Sequence, residues 1–244
     1  MRVNTKAKII SIGINMNYRK VRFYMNVLVA CEESQEVCKA FREKGHRAFS
    51  CDIQNCSGGH PEWHINYSCS QIMWGGCDFI TQDGKRHEIE GTWDLLIAHP
   101  PCTYLTVSGN AWFNTNKYVT KAKARYTDRV DAINFFMNFA VCNAKRIAIE
   151  NPIGIMSNVF RKPDQIIQPY QFGHPTRKAT CLWLENLPNL EPTDEVEPEI
   201  IKCKNNKTDV AWHLDTLGLP ADEWRRLRSK TFSGIAKAMA EQWG

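Results

Sequence analysis

The chain has 244 residues, a net charge of +5 and a hydrophobic fraction of 43%, which suit one soluble globular domain or two small ones. This composition excludes a wholly disordered chain, and no apolar run is long enough to span a bilayer. The mild positive charge suits a polyanionic partner without requiring one. Ten cysteines without a CxxC pair, and the lack of a secretory signal, favour a reducing, cytoplasmic location with mostly buried thiols.

Residues 1–24 are predicted to be a basic N-terminal extension, or the stretch ahead of an alternative start, and residues 25–244 a single domain. The segment is rich in Lys and Arg and has weak periodicity, whereas Met25 directly precedes a strong strand pattern at 26–30. A folded domain that begins near Met25 therefore fits best. A nucleic-acid-binding arm is the alternative that this basic segment leaves open.

From Met25 the pattern alternates between strands and helices, as it does in parallel α/β proteins. The first strand leads into a polar turn at 31–34 and a helix predicted over 35–44, which Gly45 ends. A second strand at 47–51 ends at Asp52. Such a unit is typical of the first half of a mononucleotide-binding fold, where an acid after the second strand holds ribose hydroxyls.

The next segments lead to the first candidate catalytic residue. Residues 53–92 are predicted to hold a third strand near 63–67 and a hairpin-like insertion at 75–84. A short buried strand at 93–98 then ends in His99-Pro100-Pro101-Cys102. Two prolines make a stiff turn at the carboxyl end of a strand, where α/β sheets place their chemistry. Cys102 is therefore a candidate nucleophile.

The second half carries a second polar motif at a strand end. The loop 103–127 is polar, aromatic and basic, and it is predicted to contact nucleic acid backbone and bases. A strand at 146–149 is predicted to end at Glu150-Asn151-Pro152, followed by a late strand at 180–184 and a helix at 233–242. A helix from about 128 to 144 precedes that strand, with its apolar positions at Val130, Ile133, Phe136, Met137 and Ala140.

One group of residues has the chemistry of zinc ligands. It consists of Cys51, Cys56, His60, His64 and Cys69. No CxxC pair anchors the group, and Pro61 interrupts the His60–His64 spacing. We expect no metal there.

The motifs Pro-Pro-Cys at 100–102 and Glu-Asn-Pro at 150–152 resemble those of the DNA cytosine-C5 methyltransferases. Residues 25–244 are similar in particular to the short bacteriophage members, which lack a sizeable target-recognition domain. The resemblance implies an α/β, Rossmann-like class I S-adenosylmethionine-dependent methyltransferase fold, with a mostly parallel sheet and helices on both faces. It also implies a monomer that methylates flipped cytosines in DNA, in the bacterial host cytoplasm if the chain is phage-encoded.

The resemblance assigns a role to each matching residue. Cys102 would attack carbon-6 of cytosine as a thiolate, and Glu150 would hydrogen-bond the ring nitrogen and exocyclic amine. Pro101 and Asn151 would complete the catalytic loops. Arg177, Lys178 and Thr180 would bind the substrate. The cofactor S-adenosylmethionine would contact the turn residues Cys31, Glu32 and Ser34, then Asp52 and the backbone at His99 and Pro100.

Two departures from the family leave alternatives open. The turn at 30–35 has no glycine, and the interval that runs from Glu185 to Arg228 contains only 44 residues. The same fold acting on a pyrimidine nucleotide or RNA is one alternative. A catalytically inactive methyltransferase-like protein that binds DNA is the other.

Overall fold

The computed structural model describes residues 24–114, 119–202, 208–210, 216 and 218–244. The hypothesis of an N-terminal extension falls on residues 1–23, outside this range. The helices are α1 (Glu36–Glu43), α2 (Val119–Ala140), α3 (Met156–Val159), α4 (Ala221–Ser229) and α5 (Ser233–Gln242). The strands are β1 (Asn26–Ala30), β2 (Arg47–Cys51), β3 (His64–Ile65), β4 (Cys77–Ile80), β5 (Arg86–Ile89), β6 (Leu95–Ala98), β7 (Ile147–Pro152), β8 (Gln165–Ile167), β9 (Thr180–Glu185), β10 (Ile200–Lys202) and β11 (Thr208–Val210).

Seven strands form the central sheet, in the order β3-β2-β1-β6-β7-β9-β8. The pairs from β3 to β7 are all parallel, and β9 is antiparallel to both β7 and β8. The predicted α/β class with a mostly parallel sheet is therefore confirmed. From β1 the chain adds β2 and β3 on one side of the sheet and then β6 and β7 on the other. The boundary between β1 and β6 is therefore a topological switch point, and open α/β sheets bind their ligands at such a point.

Both faces of the sheet are buried, which explains why its central strands are continuously apolar in sequence. In β1, Val27 and Val29 pack on one face with α1 and α5, whereas Leu28 and Ala30 pack on the other. That second face is covered by α2 and by the β4–β5 hairpin, through side chains such as Phe139. Of the helices in the described part of the chain, none combines the length and apolar character that crossing a bilayer requires.

The segment after Cys102 contains more helix than its sequence indicates. Residues 107–113 form a 3₁₀ helix and α2 begins at Val119, so the predicted loop 103–127 is wrong over most of its described length. The guanidinium groups of Arg125 and Arg129 lie over the Phe113 ring, at 5.1 and 3.3 Å from its centroid. These contacts hold the polar first half of α2 against the 3₁₀ helix. Residues 115–118 lie outside the described range.

Two strand predictions also need correction. The Glu150-Asn151-Pro152 motif does not follow β7 but forms its last three residues, because β9 pairs with β7 as far as Pro152 opposite Thr180. The parallel partner β6 stops earlier, at Ala98 opposite Ile149. The third strand, predicted near 63–67, is confirmed as β3 but has only two residues. The hairpin-like insertion predicted at 75–84 corresponds to the antiparallel pair of β4 and β5.

The buried face of α2 differs from the predicted one, because Phe139 is buried although it was not among the predicted positions and Val130 is exposed although it was. Phe136 is fully buried with its ring 5.2 Å from Trp183, whereas Val130 is 55% exposed. We expect Phe136→Ala to lower the free energy of unfolding by about 3–5 kcal/mol, the usual cost of a large cavity in a core. Denaturant unfolding measures it, with Val130→Ala on the same helix as the control, expected within about 0.5 kcal/mol of wild type. Equal effects of the two changes would contradict this packing.

Candidate active site

The two motifs meet at the carboxyl edge of the sheet, beside the switch point. The backbone N–H of His99 donates to the Ala30 carbonyl over 2.9 Å and so extends the pairing of β6 with β1. Pro100 and Pro101 have no N–H to continue it. The buried side chain of Asn151 supplies the next link, since its Nδ2 donates to the Pro100 carbonyl over 2.7 Å. The edge therefore stays ordered past the two prolines.

The loops beyond the two motifs are also joined. The backbone N–H groups of Leu105 and Thr106 both donate to the Cys102 carbonyl at 3.0 Å, which closes a tight turn. The N–H of Ile155 in turn donates to the Leu105 carbonyl at 2.9 Å. A Cβ at Gly154 would lie 2.2 Å from that same carbonyl oxygen, so the approach of the loops requires glycine. Backbone hydrogen bonds thus join the loop that follows Cys102 to the loop that follows Glu150.

The Cys102 thiol is half-buried in a site with charges of both signs. Burial raises the pKa of this thiol, as does the charge of Glu150, while the charge of Lys178 lowers it. Burial in turn lowers the pKa of Lys178, and its Nζ donates to the Arg228 carbonyl over 2.7 Å. The thiolate is therefore stabilised by Lys178 and opposed by Glu150, so its formation depends on the protonation of the groups around it.

Glu150 and His99 form the closest charged contact of the site. Glu150 Oε2 lies 2.9 Å from His99 Nδ1, and the side chains are only 20% and 9% exposed. Burial raises the pKa of Glu150, but the His99 hydrogen bond and charge, with Lys178 and Thr180, hold this pKa below its ordinary value. Burial lowers the pKa of His99, but Glu150 and then Glu32 bring it above its ordinary value.

The remaining residues predicted to bind substrate or complete the loops have different positions. Arg177 and Pro101 are exposed, and no described contact joins either of them to Cys102 or Glu150. Thr180 is buried, and its hydroxyl donates to the Lys178 carbonyl over 3.1 Å. Asn151 acts through its link to Pro100. The charges that act on Cys102 are therefore those of Glu150, Lys178 and Arg228, and His99 adjoins them through its contact with Glu150.

The turn after β1 contains left-handed backbone conformations that glycine usually adopts, although the turn has no glycine. Cys31 and Gln35 both have φ of 60°, in the left-handed region, which costs about 1–2 kcal/mol for each such residue. The N–H groups of Cys31 and Glu32 both donate to the Cys51 carbonyl, at 2.7 and 3.2 Å. The Gln35 amide also donates to the His60 carbonyl at 2.9 Å. These bonds hold the turn in its conformation despite the side chains.

The carboxyl group of Glu32 occupies the amino end of α1. It accepts the backbone N–H of Val37 at 2.6 Å and that of Cys38 at 3.2 Å. Burial raises the pKa of Glu32, which the charge of His99 and the two backbone bonds partly offset. Dinucleotide-binding folds place a pyrophosphate at this helix end. Here a carboxyl group of the chain itself takes that place, which disfavours a phosphate.

The other residues predicted to bind the cofactor surround this turn. Asp52 directly follows β2, and both described hydrogen bonds to its carboxyl group, from the backbone and side chain of Gln54, use Oδ1. Ser34 is buried, and the Cys31 sulfur lies 4.0 Å from that of Cys69. The edge at β1 and β2 is therefore acidic, and it fits a cationic nucleoside better than a phosphorylated one.

Three contributors to the site were missed by sequence reasoning. The imidazole of His99 was overlooked because only its backbone was considered, although a histidine beside a candidate nucleophile was a usable signal. Gln35 fixes the turn through its side chain, which no sequence pattern marks. Arg228 reaches the site from α4, and its charge lowers the pKa of Cys102. That long-range contact has no local signal in the sequence.

The residues with zinc-ligand chemistry are engaged in other contacts. His64 contacts the Ser50 hydroxyl through Nδ1 and the Gln54 carbonyl through Nε2, both at 2.9 Å. The ring of His60 stacks on that of Trp63, at 3.8 Å between centroids. Among the residues that the structure describes, no three His, Cys, Asp or Glu side chains are grouped to hold a metal ion.

Comparison of the chain with protein-family models found no match, and comparison with curated proteins found none. Among the solved structures that match is that of the methyltransferase EhMeth from Entamoeba histolytica, at 12% sequence identity and a TM-score of 0.37. The match covers 72% of this chain and 58% of that one, so this chain spans less than two thirds of that protein. A similarity at this level carries no argument about function.

The opposing charges around Cys102 give a testable reactivity. Since the Glu150 charge raises the pKa of the thiol, we expect Glu150→Gln to speed alkylation of Cys102 by iodoacetamide at fixed pH. The gain should be up to about tenfold, the change in thiolate fraction for one pKa unit. Peptide mass spectrometry follows Cys102 itself. Glu88→Gln, an exposed change on the β5 strand, should leave the rate unaltered; slower alkylation in Glu150→Gln would contradict the arrangement.

Proposed function

We propose that this protein transfers a methyl group from S-adenosylmethionine to carbon-5 of cytosine in DNA, through a covalent adduct with Cys102. The observation that carries the proposal is the joining of the two motifs. A half-buried thiol on the turn after β6 and a half-buried carboxylate on the adjacent strand β7 are held near each other by the Asn151–Pro100 hydrogen bond. This is the pairing that addition of a thiolate to a cytosine ring requires, since the ring needs a nucleophile and a group that offsets its developing charge.

Each residue of the site has a role in this chemistry. The thiolate of Cys102 adds to carbon-6 of the ring, which makes carbon-5 nucleophilic. Glu150 hydrogen-bonds the N3 edge of the ring as negative charge develops there. Lys178 stabilises the thiolate by its charge, consistent with its effect on the pKa of Cys102. Asn151 and Pro101 hold the loops, and Thr180 supports Glu150 and Lys178.

The residues near the switch point fit S-adenosylmethionine. When bound, this cofactor supplies an electrophilic methyl group on a sulfonium, and it carries no phosphate. Asp52 would hold its ribose, and the turn at Cys31, Glu32 and Ser34, with the backbone of His99 and Pro100, would line its site. The support is electrostatic: Glu32 already occupies the amino end of α1, which disfavours a pyrophosphate cofactor and favours a cationic ligand.

A DNA partner is supported by the exposed surface of α4. Its outward side chains include Arg225, Arg226 and Trp224, a basic and aromatic combination that suits phosphates and unstacked bases. The end of the helix adjoins the site, since the Arg228 carbonyl accepts from Lys178. A flipped base would therefore enter beside this helix.

A pyrimidine nucleotide or RNA is a second candidate substrate. It is favoured by the short segment from Glu185 to Arg228, whose described elements are only the β10–β11 hairpin and α4. Titration with S-adenosylmethionine, followed by incubation of the labelled cofactor with duplex DNA, RNA or dCTP, identifies the acceptor. Transfer to dCTP or RNA alone would replace DNA in the proposal, and no cofactor binding with or without DNA would refute methyl transfer.

The covalent step is tested with DNA that contains 5-fluorocytosine. We expect wild-type protein with S-adenosylmethionine to form an adduct stable to denaturing electrophoresis, because fluorine at carbon-5 blocks the elimination that frees the enzyme. Cys102→Ser should reduce the adduct below detection. Cys77→Ser, in the β4 strand, should form it as wild type does. An adduct with undiminished yield in Cys102→Ser would mean that another residue is the nucleophile.

The proposed surface of α4 is tested by the salt dependence of DNA binding. Replacing both Arg225 and Arg226 by alanine should weaken binding uniformly across sequences. The slope of log affinity against log salt should become shallower by about 1–2, roughly 0.9 for each phosphate that is no longer neutralised. Lys44→Ala with Lys145→Ala removes two charges from the opposite edge of the sheet and should leave the slope unaltered. An unchanged slope in the α4 variant would show that DNA does not contact this helix.

A further inference from the structure

His99 is placed where it can hold and release a proton inside the site. Its backbone is fixed to β1 through the Ala30 carbonyl, and its side chain is only 9% exposed. Nδ1 contacts Glu150 Oε2 at 2.9 Å. Nε2 is buried and has no hydrogen-bond partner among the residues that the structure describes. The Nδ1–carboxylate contact is thus the hydrogen bond that orients the ring.

The charges that face His99 come from three elements. Glu150 on β7 and Glu32 in the turn after β1 are acidic, and Lys178, just before β9, is the cation. Lys178 contacts Glu150 electrostatically as well, and the pKa of each of these buried groups depends on the others. Burial opposes a charged imidazole, and the two carboxyl groups favour it. The pair of His99 and Glu150 therefore holds a proton that either side chain can carry.

We propose that His99 is the proton donor to Glu150, which relays this proton to N3 of the pyrimidine ring and takes it back at the end of the reaction. This inference rests on the proposed function for the identity of the ring. It gives the imidazole a role of its own, whereas the resemblance used only the backbone of this residue. His99 acts through Glu150 and is a positioning and relay residue rather than one that touches the substrate.

The proton movements balance with Glu150, His99 and water alone. When Sγ of Cys102 bonds to carbon-6, the C5=C6 π pair shifts to C4=C5 and the former C4=N3 pair becomes a lone pair on N3. N3 takes a proton from the Glu150 carboxyl, which takes one from His99 Nδ1. Carbon-5 then accepts a proton from water, which leaves hydroxide, while the C4=C5 pair forms the new C–H bond and the N3 lone pair restores C4=N3. The hydroxide removes the original carbon-5 hydrogen and becomes water again, which returns the pair to C4=C5. The S–C6 pair then leaves as the Cys102 thiolate as C5=C6 and C4=N3 re-form, and the N3 proton returns through Glu150 to His99.

This sequence predicts exchange of the carbon-5 hydrogen of cytosine with water, with no methyl donor present. Release of tritium from DNA tritiated at carbon-5 measures it. The donor must be protonated, so the wild-type rate should fall as the pH rises through the His99 midpoint. Glutamine keeps a hydrogen-bond donor but has no proton to lose. In His99→Gln the fall of the rate with rising pH (the exchange limb) should therefore vanish, and the rate at pH values below the wild-type His99 midpoint should drop by about 10²-fold. His60→Gln, a change at a half-buried histidine without a described contact to Cys102 or Glu150, should behave as wild type.

A second measurement needs neither DNA nor activity. In protein labelled with ¹⁵N-histidine, the His99 resonances are those that disappear in His99→Gln. Their titration midpoint should lie above the ordinary histidine value in wild type and should fall in Glu150→Gln, where burial is less opposed. Glu32→Gln should lower the midpoint and move the exchange limb to lower pH by the same amount. A purely structural role for His99 would produce neither matched shift.

The outcomes separate the relay from the proposed function. If wild-type protein exchanges tritium but His99→Gln keeps the wild-type limb, or if Glu150→Gln leaves the midpoint unchanged, the relay is refuted while pyrimidine chemistry stands. If wild-type protein neither exchanges tritium nor forms the 5-fluorocytosine adduct, the proposed function fails and the N3 step fails with it. The midpoints in wild type and Glu150→Gln then still decide whether His99 and Glu150 share a proton.

Discussion

The hydrogen bond from the Asn151 side chain to the Pro100 carbonyl is the contact on which the arrangement of the site depends. Parallel pairing of β6 with β7 ends at Ala98 and Ile149, because the two prolines that follow have no N–H to donate. The Asn151 amide takes over where the backbone ladder stops. Together with the His99–Glu150 contact, this bond links the segment that carries Cys102 to the strand that carries Glu150 at this level of the sheet.

The turn after β1 shows how a departure from a sequence pattern can conserve a backbone shape. Glycine normally allows the left-handed conformation there, and here Cys31 and Gln35 adopt it. Paired bonds to the Cys51 carbonyl and the buried Gln35 side chain hold the turn in place. The electrostatics change, however, because Glu32 fills the amino end of α1. The same turn is therefore suited to a different class of ligand than a phosphate.

The fold was predictable from the sequence wherever burial decided the structure. The alternation of short aliphatic runs and amphipathic segments predicted β1, α1, β2 and α5 closely, since each has a clear apolar face. The extension of β7 through Pro152 was not predictable, because it depends on pairing with β9, a partner that is distant in sequence. The start of α2 was missed for a related reason: Arg125 and Arg129 look solvated in sequence but pack on Phe113.

For the site, sequence patterns could indicate which strand ends carry reactive groups, but not how these groups interact. Cys102 and Glu150 stand out by their neighbours in the chain, whereas the His99–Glu150 contact and the reach of Arg228 depend on side-chain directions in three dimensions. Charge coupling among buried groups also has no counterpart in a linear pattern. For this reason Lys178 was assigned through the resemblance as one of several substrate-binding residues, and its position beside the thiol became evident only in the structure.

The close approach of Gly154 to the Leu105 carbonyl has a consequence for the entropy of the proposed reaction. Because the two loops touch backbone to backbone, the thiol and the carboxylate have few relative orientations left to lose. Orienting two reacting groups can account for a large part of a reaction barrier when they are free to move. In this chain that ordering takes place once, during folding, so that each substrate molecule meets groups that are already aligned.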